Sequence, residues 1–511
     1  MLFKNSVLAL TLVLAGCVST NPATGGKYLR LMSQEQEAEI GQEVAVEAIK
    51  EYGGLYTEMP ELTAYLDARV QEVVAASHQP NRTFLLRLLD DEILNAFAVP
   101  GYTMISRGLL PFLNSEAELV GVLGHEVSHV TAQHFARTHS TGTLLQGALI
   151  VGQIFLNNSA NVNPQVADAA SQVAGLAANI GFAGYSRSHE LEADRLGLQY
   201  MAKLGYEPAE MADVFRTFDG YGNMMKKIME AGGAKQDMGI YHQLLSSHPE
   251  DQKRIRQIAE QMQENGYNGT KRHVDRYLDM IDGIAFGPSP EQGFGGKEHY
   301  YNVKKGYTFK VPTGWFFPNQ SRLPIAVNLR EKAFVEVKST GHPTGRDVRE
   351  SILNEFPNIS YLKEIEMPQG SNIQAITGLL TRTTAGALGT TKDSHKTRLA
   401  AFIENNSTRD MTIMLFSVDE GGFDMLDADF IRMAQSFRFL TPQQAADIQP
   451  LRVKIYTVQE GEKLPTVLDK LAFGAFTLEW FRLLNGLWKN PEVTPGQRVK
   501  LVINPNVGLI E

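Results

Sequence analysis

The sequence predicts a multidomain chain: a mainly helical domain with a small β-hairpin sheet, then an α+β domain, then a small last module. Three observations lead there. Apolar residues recur at helical spacing through the first half of the chain, and strand-like runs dominate much of the rest. A cluster of turn-forming residues, Gly287-Pro288-Ser289-Pro290 through Gly296, divides the two. The length of 511 residues leaves room for two to four domains. The composition, 43% apolar and 21% charged with net charge −9, is that of soluble globular domains. No long basic tract appears, which argues against a nucleic-acid partner.

The elements follow in order. Residues 1–16 read as a secretory signal, with Lys4 as the positive region and Val7 to Leu14 as the apolar one. Residues 17–30 read as a polar tether rich in Asn, Pro and Gly, and residues 31–285 as the helical domain. Ile93–Val99 and Tyr102–Leu110 are extended runs around a Pro100-Gly101 turn, a hairpin. Ser115 and Glu118 form an S-x-x-E capping box that opens a helix. Leu119, Val122, Leu123, Val127 and Val130 give that helix an apolar stripe. Leu144–Leu156 is an apolar run of 13 residues, shorter than the roughly 20 a membrane span needs. Residues 140–184 therefore read as two helices beside a cleft, either a lid or a packing hairpin. Ser186 to Gly197 reads as a further helix. Residues 286–298 are a linker. The α+β domain, 299–441, has strands at Tyr307–Val311, Ala326–Leu329, Phe334–Lys338, Ile373–Arg382, Arg398–Glu404 and Met411–Val418. Its helices fall at Val348–Phe356 and Phe430–Phe437. Residues 442–450 are a second linker and 451–505 the last module.

Chemistry concentrates in His125-Glu126-Val127-Ser128-His129, an H-E-x-x-H pentad. Two histidines four apart project from one helix face, so both imidazoles can hold one Zn²⁺ while the glutamate reaches a coordinated water. The domain is thus expected to be zincin-like, and with a carboxylate as third ligand a gluzincin. The helix at Ser186–Gly197 offers that carboxylate. Glu190 and Asp194 share a face, whereas Glu192 lies about 200° round the helix. Glu190 then suits a ligand, and Asp194 suits a support that accepts an N–H from a ligand histidine. By spacing alone, His189 remains a rival third ligand. His134 and His139 do not share the face of His129 and read as structural or exposed.

These residues carry a family resemblance. H-E-V-S-H-V followed by S-R-x-x-E-x-E-A-D-x-x-G resembles the HtpX/BepA-type zinc endopeptidases, relatives of the CAAX prenyl protease. Asn95-Ala96-Phe97-Ala98-Val99-Pro100-Gly101 is similar to the family's N-A-F-A-x-P-G strand. Ser247-His248-Pro249 followed by Arg254-Ile255 is similar to its H-P…R-I segment. The resemblance implies one Zn²⁺ held by His125, His129 and Glu190, with Glu126 as catalytic base. It implies His248 either as an oxyanion donor or as an occasional fourth ligand, the alternative being a turn residue before Pro249. Arg254 would be a supporting residue. Asn95, Ala96, Phe97 and Ala98 would form an edge strand able to bind an extended peptide by strand addition, or else part of an ordinary core hairpin. Tyr102 departs from the second glycine found in many relatives.

Two further resemblances place the chain. Leu14-Ala15-Gly16-Cys17 resembles a bacterial lipoprotein box, which implies cleavage before Cys17 and acylation of this sole cysteine. Val18 is not the aspartate that retains many such lipoproteins at the inner membrane. The expected location is therefore the cell envelope, lipid-anchored to the outer membrane and facing the periplasm. The order Tyr456–Leu464, Phe481–Leu487 and Thr494–Val499 resembles a LysM module, which implies a βααβ fold and peptidoglycan contact or, alternatively, a packing or protein-docking role. Val311-Pro312-Thr313-Gly314-Trp315 faintly resembles the start of PsbP-like domains. The expected activity is zinc-dependent hydrolysis of misfolded or misassembled envelope polypeptides. The alternative is a non-enzymatic chaperone, scaffold or peptidoglycan-docking lipoprotein on a peptidase fold.

Overall fold

The computed structural model describes residues 18–141, 185–231, 251–319, 325–328, 330–341, 347–385, 392–419, 423–488 and 492–506. The signal segment, Cys17, the Leu144–Leu156 run and His248 lie outside the described residues. Two compact units are present: Met1–Gly222 with Met238–Asp282, and Asn223–Asp237 with Gly283–Glu511.

In the first unit, β1 (Val18–Thr20) and β2 (Lys27–Leu29) pair as an antiparallel hairpin within the segment expected as a tether. Helix α1 (Gln34–Glu51) starts at a Ser33–Gln36 capping box. Helix α2 (Pro60–Ala76) starts on a proline, whose missing N–H costs nothing at that position. Strands β3 (Leu85–Leu89), β4 (Ala96–Val99) and β5 (Tyr102–Ser106) form a sheet in the order β3-β5-β4. β4 and β5 are the expected hairpin around Pro100-Gly101, with Gly101 at φ 87°. The second arm is shorter than expected, because Arg107–Phe112 winds into a 3₁₀ turn around Pro111. The parallel pairing of β3 with β5 was not foreseen.

Helix α3 (Glu116–Thr131) carries the pentad and is buried along its whole length. The Ser115 hydroxyl accepts from Glu118 N at 3.0 Å, and the Glu118 carboxylate accepts from Asn114 N at 2.8 Å, one residue earlier than an S-x-x-E box requires. Helix α4 (Arg187–Leu204) begins on a Ser186 cap and ends on Gly205 in the left-handed region. α5 (Glu210–Ala231), α6 (Asp251–Asn265) and α7 (Val274–Ile281) follow. Helices α3 and α4 approach where Gly124 meets Gly197. A Cβ on Gly197 would lie 3.0 Å from His125 N, and one on Gly124 would lie 3.2 Å from Gly197 Cα. Two residues without side chains let the helix bearing the histidines and the helix bearing Glu190 touch backbone to backbone.

The second unit is α+β. Strands Ala326–Asn328, Ala333–Thr340, Met411–Asp419, Lys392–Glu404, Ile373–Ala385 and Ser360–Glu364 make one six-stranded antiparallel sheet in that spatial order. Helices Val348–Glu355 and Phe423–Ser436 belong to this part, and Phe430 and Met433 of the second, with Phe437 just after it, fill its core with Phe402 and Phe416. A four-stranded sheet includes Phe294–Gly295 from the segment expected as a linker. The C-terminal part runs strand Leu451–Thr457, helices Leu464–Leu468 and Thr477–Asn485, and strand Arg498–Ile503, a βααβ order. The first of these strands also pairs with Ala285–Phe286.

Candidate metal centre

The Nε2 atoms of His125 and His129 lie 3.0 Å apart. Glu190 places Oε2 3.3 Å from His125 Nε2 and Oε1 3.5 Å from His129 Nε2. All three side chains are buried, and their ligand atoms lie within 4.8 Å of one another. Zinc–donor distances of about 2.0–2.1 Å in a tetrahedral arrangement separate the donors by about 3.3 Å, so the spacing fits. His189, the rival, is not in this group. It stacks on His134 at 4.3 Å instead.

The outer bonds decide the tautomers. His125 Nδ1 lies 2.9 Å from Asp194 Oδ1, and a carboxylate there can only accept, so Nδ1 carries the hydrogen. Arg254 donates Nε to Asp194 Oδ2 at 2.7 Å and Nη2 to Oδ1 at 2.6 Å. Its Nη1 lies 3.4 Å from Glu190 Oε2. Arg254 Nη2 also sits 3.3 Å from His125 Nδ1, but both are donors, so this is proximity and not a bond. The guanidinium packs over the Phe215 ring at 4.1 Å, which excludes water from it. Arg254, expected as a supporting residue, is 1% exposed.

His129 is held differently. Its Nδ1 lies 2.9 Å from Nδ1 of His134, whose Nε2 is 3.1 Å from Glu192 Oε2. Glu192 can only accept, so His134 carries its hydrogen on Nε2 and offers a lone pair at Nδ1. His129 therefore donates from Nδ1. Both ligand histidines thus turn Nε2 lone pairs toward each other at 3.0 Å. Lone pairs so placed repel unless positive charge, a proton or a metal ion, lies between them, and with the Glu190 oxygens beside both atoms the group fits a metal.

The electrostatics agree. Burial alone would lower His125, but hydrogen bonding to Asp194 and Glu190 outweighs it and raises its pKa to about 9, so positive charge is stabilised here. Burial opposes the Asp194 charge too, and the Arg254 guanidinium overcomes it, holding its pKa below the usual range. Glu192, despite burial, is held at about 2 by its bonds from His134 and Arg137. His134 is lowered, chiefly by burial, which favours its neutral form.

Glu126 is 3% exposed and lines, with His125, a small cleft. Ala96, Val122, Phe215 and Phe218 give that cleft apolar walls. Of the expected edge strand, Ala96 faces the cleft, and β4 stands at the end of its sheet. Asn95 points elsewhere, its amide donating to Tyr52 Oη at 3.2 Å. Phe97 packs toward Tyr52 with ring centroids 5.9 Å apart, and Ala98 is buried.

Residues 60–262 match the model of Peptidase family M48. Among curated proteins, the chain is 33% identical over 170 residues to the putative beta-barrel assembly-enhancing protease of Vibrio cholerae, covering 32% of this chain and 34% of that one. It is 29% identical over 203 residues to the beta-barrel assembly-enhancing protease of Escherichia coli, covering 39% and 40%. It is 25% identical over 246 residues to the mitochondrial metalloendopeptidase OMA1 of Schizosaccharomyces pombe, covering 48% and 66%. The chain thus spans about a third of the first of these relatives and less than two thirds of the others. A solution structure of cyanobacterial PsbP from Synechocystis shares 16% identity at a TM-score of 0.20, covering 29% of this chain and 94% of that one, and carries no argument. The M48 match and the metalloendopeptidase relatives support a metalloprotease with zinc as its metal. Among the described residues, no helix is long and apolar enough to cross a membrane.

Proposed function

We propose that the protein is a zinc-dependent endopeptidase of the bacterial cell envelope, acting on misfolded or misassembled polypeptides. The observation that carries this reading is the convergence of His125, His129 and Glu190 on one point, with Nε2 lone pairs facing inward. These three would hold the ion, and Asp194 with Arg254 would fix His125. Zinc, when bound, supplies Lewis-acid polarisation and water activation near neutral pH. Glu126, beside the first ligand and at the cleft, takes a proton from the attacking water and passes it to the leaving amine. An extended substrate would align along β4 at Ala96, with a side chain in the apolar cleft. Strand addition recognises backbone, so it suits unfolded chains of varied sequence.

The envelope assignment rests on the signal-like N-terminus, the lipoprotein-like box at Cys17 and the similarity to assembly-enhancing proteases. Anchorage through Cys17 to the outer membrane, peptidoglycan contact by residues 451–505, and a role for His248 belong to the same reading. Glu126→Gln tests the catalytic part. The expected result is full zinc content with peptide cleavage lost. Unchanged cleavage would remove Glu126 from its role, and a wild-type protein that binds zinc yet cleaves no unfolded substrate would favour a scaffold.

A further inference from the structure

We propose that the N-terminal hairpin is a working part of the metal centre, positioning His129 through Asn21, Glu192 and His134. The inference rests on the zinc reading above and adds residues to it. Helix α3 ends at Thr131 with Ala132 as its cap, and Gln133 takes φ 60°, a left-handed break that few non-glycine residues adopt. The chain re-enters helix at 134–141. That break turns His134 back onto His129, although a continuous helix would carry it to another face.

The hairpin holds the break in place. Asn21 is 3% exposed, and its Nδ2 donates to Ala132 O at 3.1 Å and to Glu192 Oε1 at 3.3 Å. Its Oδ1 accepts from Ala23 N at 2.9 Å, so one amide side chain closes the turn and bridges to both elements. The Tyr28 hydroxyl donates to Gln133 Oε1 at 3.3 Å. Ser140 Oγ accepts from Leu31 N at 3.0 Å, just beyond the hairpin. Glu192 thus receives Asn21 on one oxygen, and His134 and Arg137 on the other, at 3.1 and 2.7 Å. A half-buried carboxylate with three donors has little freedom, and it fixes the His134 ring. His134 in turn takes the Nδ1 hydrogen of His129 and leaves Nε2 for the ion. Outer partners of this kind typically carry about 10–100-fold in metal affinity. The unusual feature is that the last link comes from a strand pair more than a hundred residues upstream.

The test is zinc affinity of the full chain, measured by competition with a chromophoric chelator, with the visible spectrum of the Co²⁺-loaded protein as a second readout. His134→Ala is expected to weaken zinc about 10–100-fold and to alter the cobalt spectrum. Asn21→Ala removes neutral bonds one step further out and is expected to weaken zinc about 2–10-fold. Because the two act through one chain of contacts, the Asn21→Ala loss should largely vanish in the His134→Ala background. Should His134→Ala fail to fold, Glu192→Gln, which keeps the shape and removes the charge, carries the decision and should also weaken zinc. A purely structural role would lower the melting temperature of the metal-free variants while leaving the zinc affinity and cobalt spectrum of the folded protein unchanged. That result overturns the proposal. Wild-type protein that binds no zinc overturns the metal reading beneath it, which is a distinguishable outcome.

Discussion

Replacing Asp194 by asparagine removes one charge and turns one acceptor atom into a donor. The native carboxylate serves three donors: Oδ1 takes Arg254 Nη2 at 2.6 Å and His125 Nδ1 at 2.9 Å, and Oδ2 takes Arg254 Nε at 2.7 Å. An amide placed with its oxygen at Oδ1 keeps two of these but points its NH₂ at Arg254 Nε. The flipped amide keeps one and opposes two. At least one charge-assisted bond is lost, worth about 1.5–3 kcal/mol, and a guanidinium that is 1% exposed loses its nearest anion. Breaking one side of a buried pair costs about 3–5 kcal/mol. Arg254 retains Glu190, 3.4 Å from Nη1, and should shift toward it, competing with the ion for that carboxylate. The expected outcome for Asp194→Asn is a metal-free protein destabilised by about 3 kcal/mol and zinc affinity lowered about 10–100-fold. Denaturant unfolding of the metal-free form and chelator competition at fixed pH separate the two effects. A destabilised variant with zinc affinity within about twofold of wild type would show that Asp194 anchors Arg254 alone and does not orient His125.

Other outcomes follow from the same contacts. Gly197→Ala places a Cβ 3.0 Å from His125 N; overpacking there should cost about 1–3 kcal/mol, and equilibrium unfolding unchanged from wild type would refute the close-approach argument. Glu116 is fully buried and accepts from the hydroxyls of Tyr65 and Tyr206, both at 2.6 Å; Glu116→Ala should destabilise by about 2–6 kcal/mol, from two buried hydroxyls left without this acceptor. Burial pushes Glu116 up, but those bonds and Arg69 and Arg276 prevail, so its folded pKa lies below its unfolded one. Its contribution is therefore present above the unfolded carboxylate range near 4.3 and disappears as pH falls through the folded value. Wild type should lose stability on acidification more steeply than Glu116→Gln, and parallel pH profiles would sink that reasoning. Zinc at a thousandfold excess over its Kd should stabilise the fold by about 4 kcal/mol, so a chelator should lower the melting temperature of wild type much more than that of His129→Ala.

What the sequence discloses about this centre depends on how local each relationship is. His125 and His129 are four apart on one helix, and Glu190 and Asp194 are four apart on another. Helical periodicity reads both pairs without knowing where the helices go. The S-x-x-E motif at Ser115 marks the helix start for the same reason. The meeting of the two helices is not local. It needs Gly124 opposite Gly197, and a single glycine in a helix carries no address for its partner. Which atoms Arg254 supports is likewise not local, because its helix is placed by tertiary packing against Asp194 and Phe215. His134 is structural, as one of its two readings has it, but its place beside His129 was not legible: five residues on, it shares a face only if the helix breaks, and Gln133 is not a residue that announces a positive φ.

One signal was nonetheless available. Glu192 stands between the ligand Glu190 and its supporting neighbour Asp194, yet projects about 200° away from both. A third acid on the wrong face of a helix that must pack closely needs its own donors. The donors that suit a carboxylate packed beside a histidine ligand are another histidine and an arginine. His134 and Arg137, the first His and Arg after the pentad, are the pair found. Asn21 could not have been found this way, since a lone asparagine in a polar N-terminal stretch has no periodicity to read. The two ligand histidines thus end on different supports, Asp194 with Arg254 for one and His134 with Glu192 for the other. Only the second depends on the N-terminal hairpin. Loosening that hairpin should weaken the hold on His129 while leaving His125 in place.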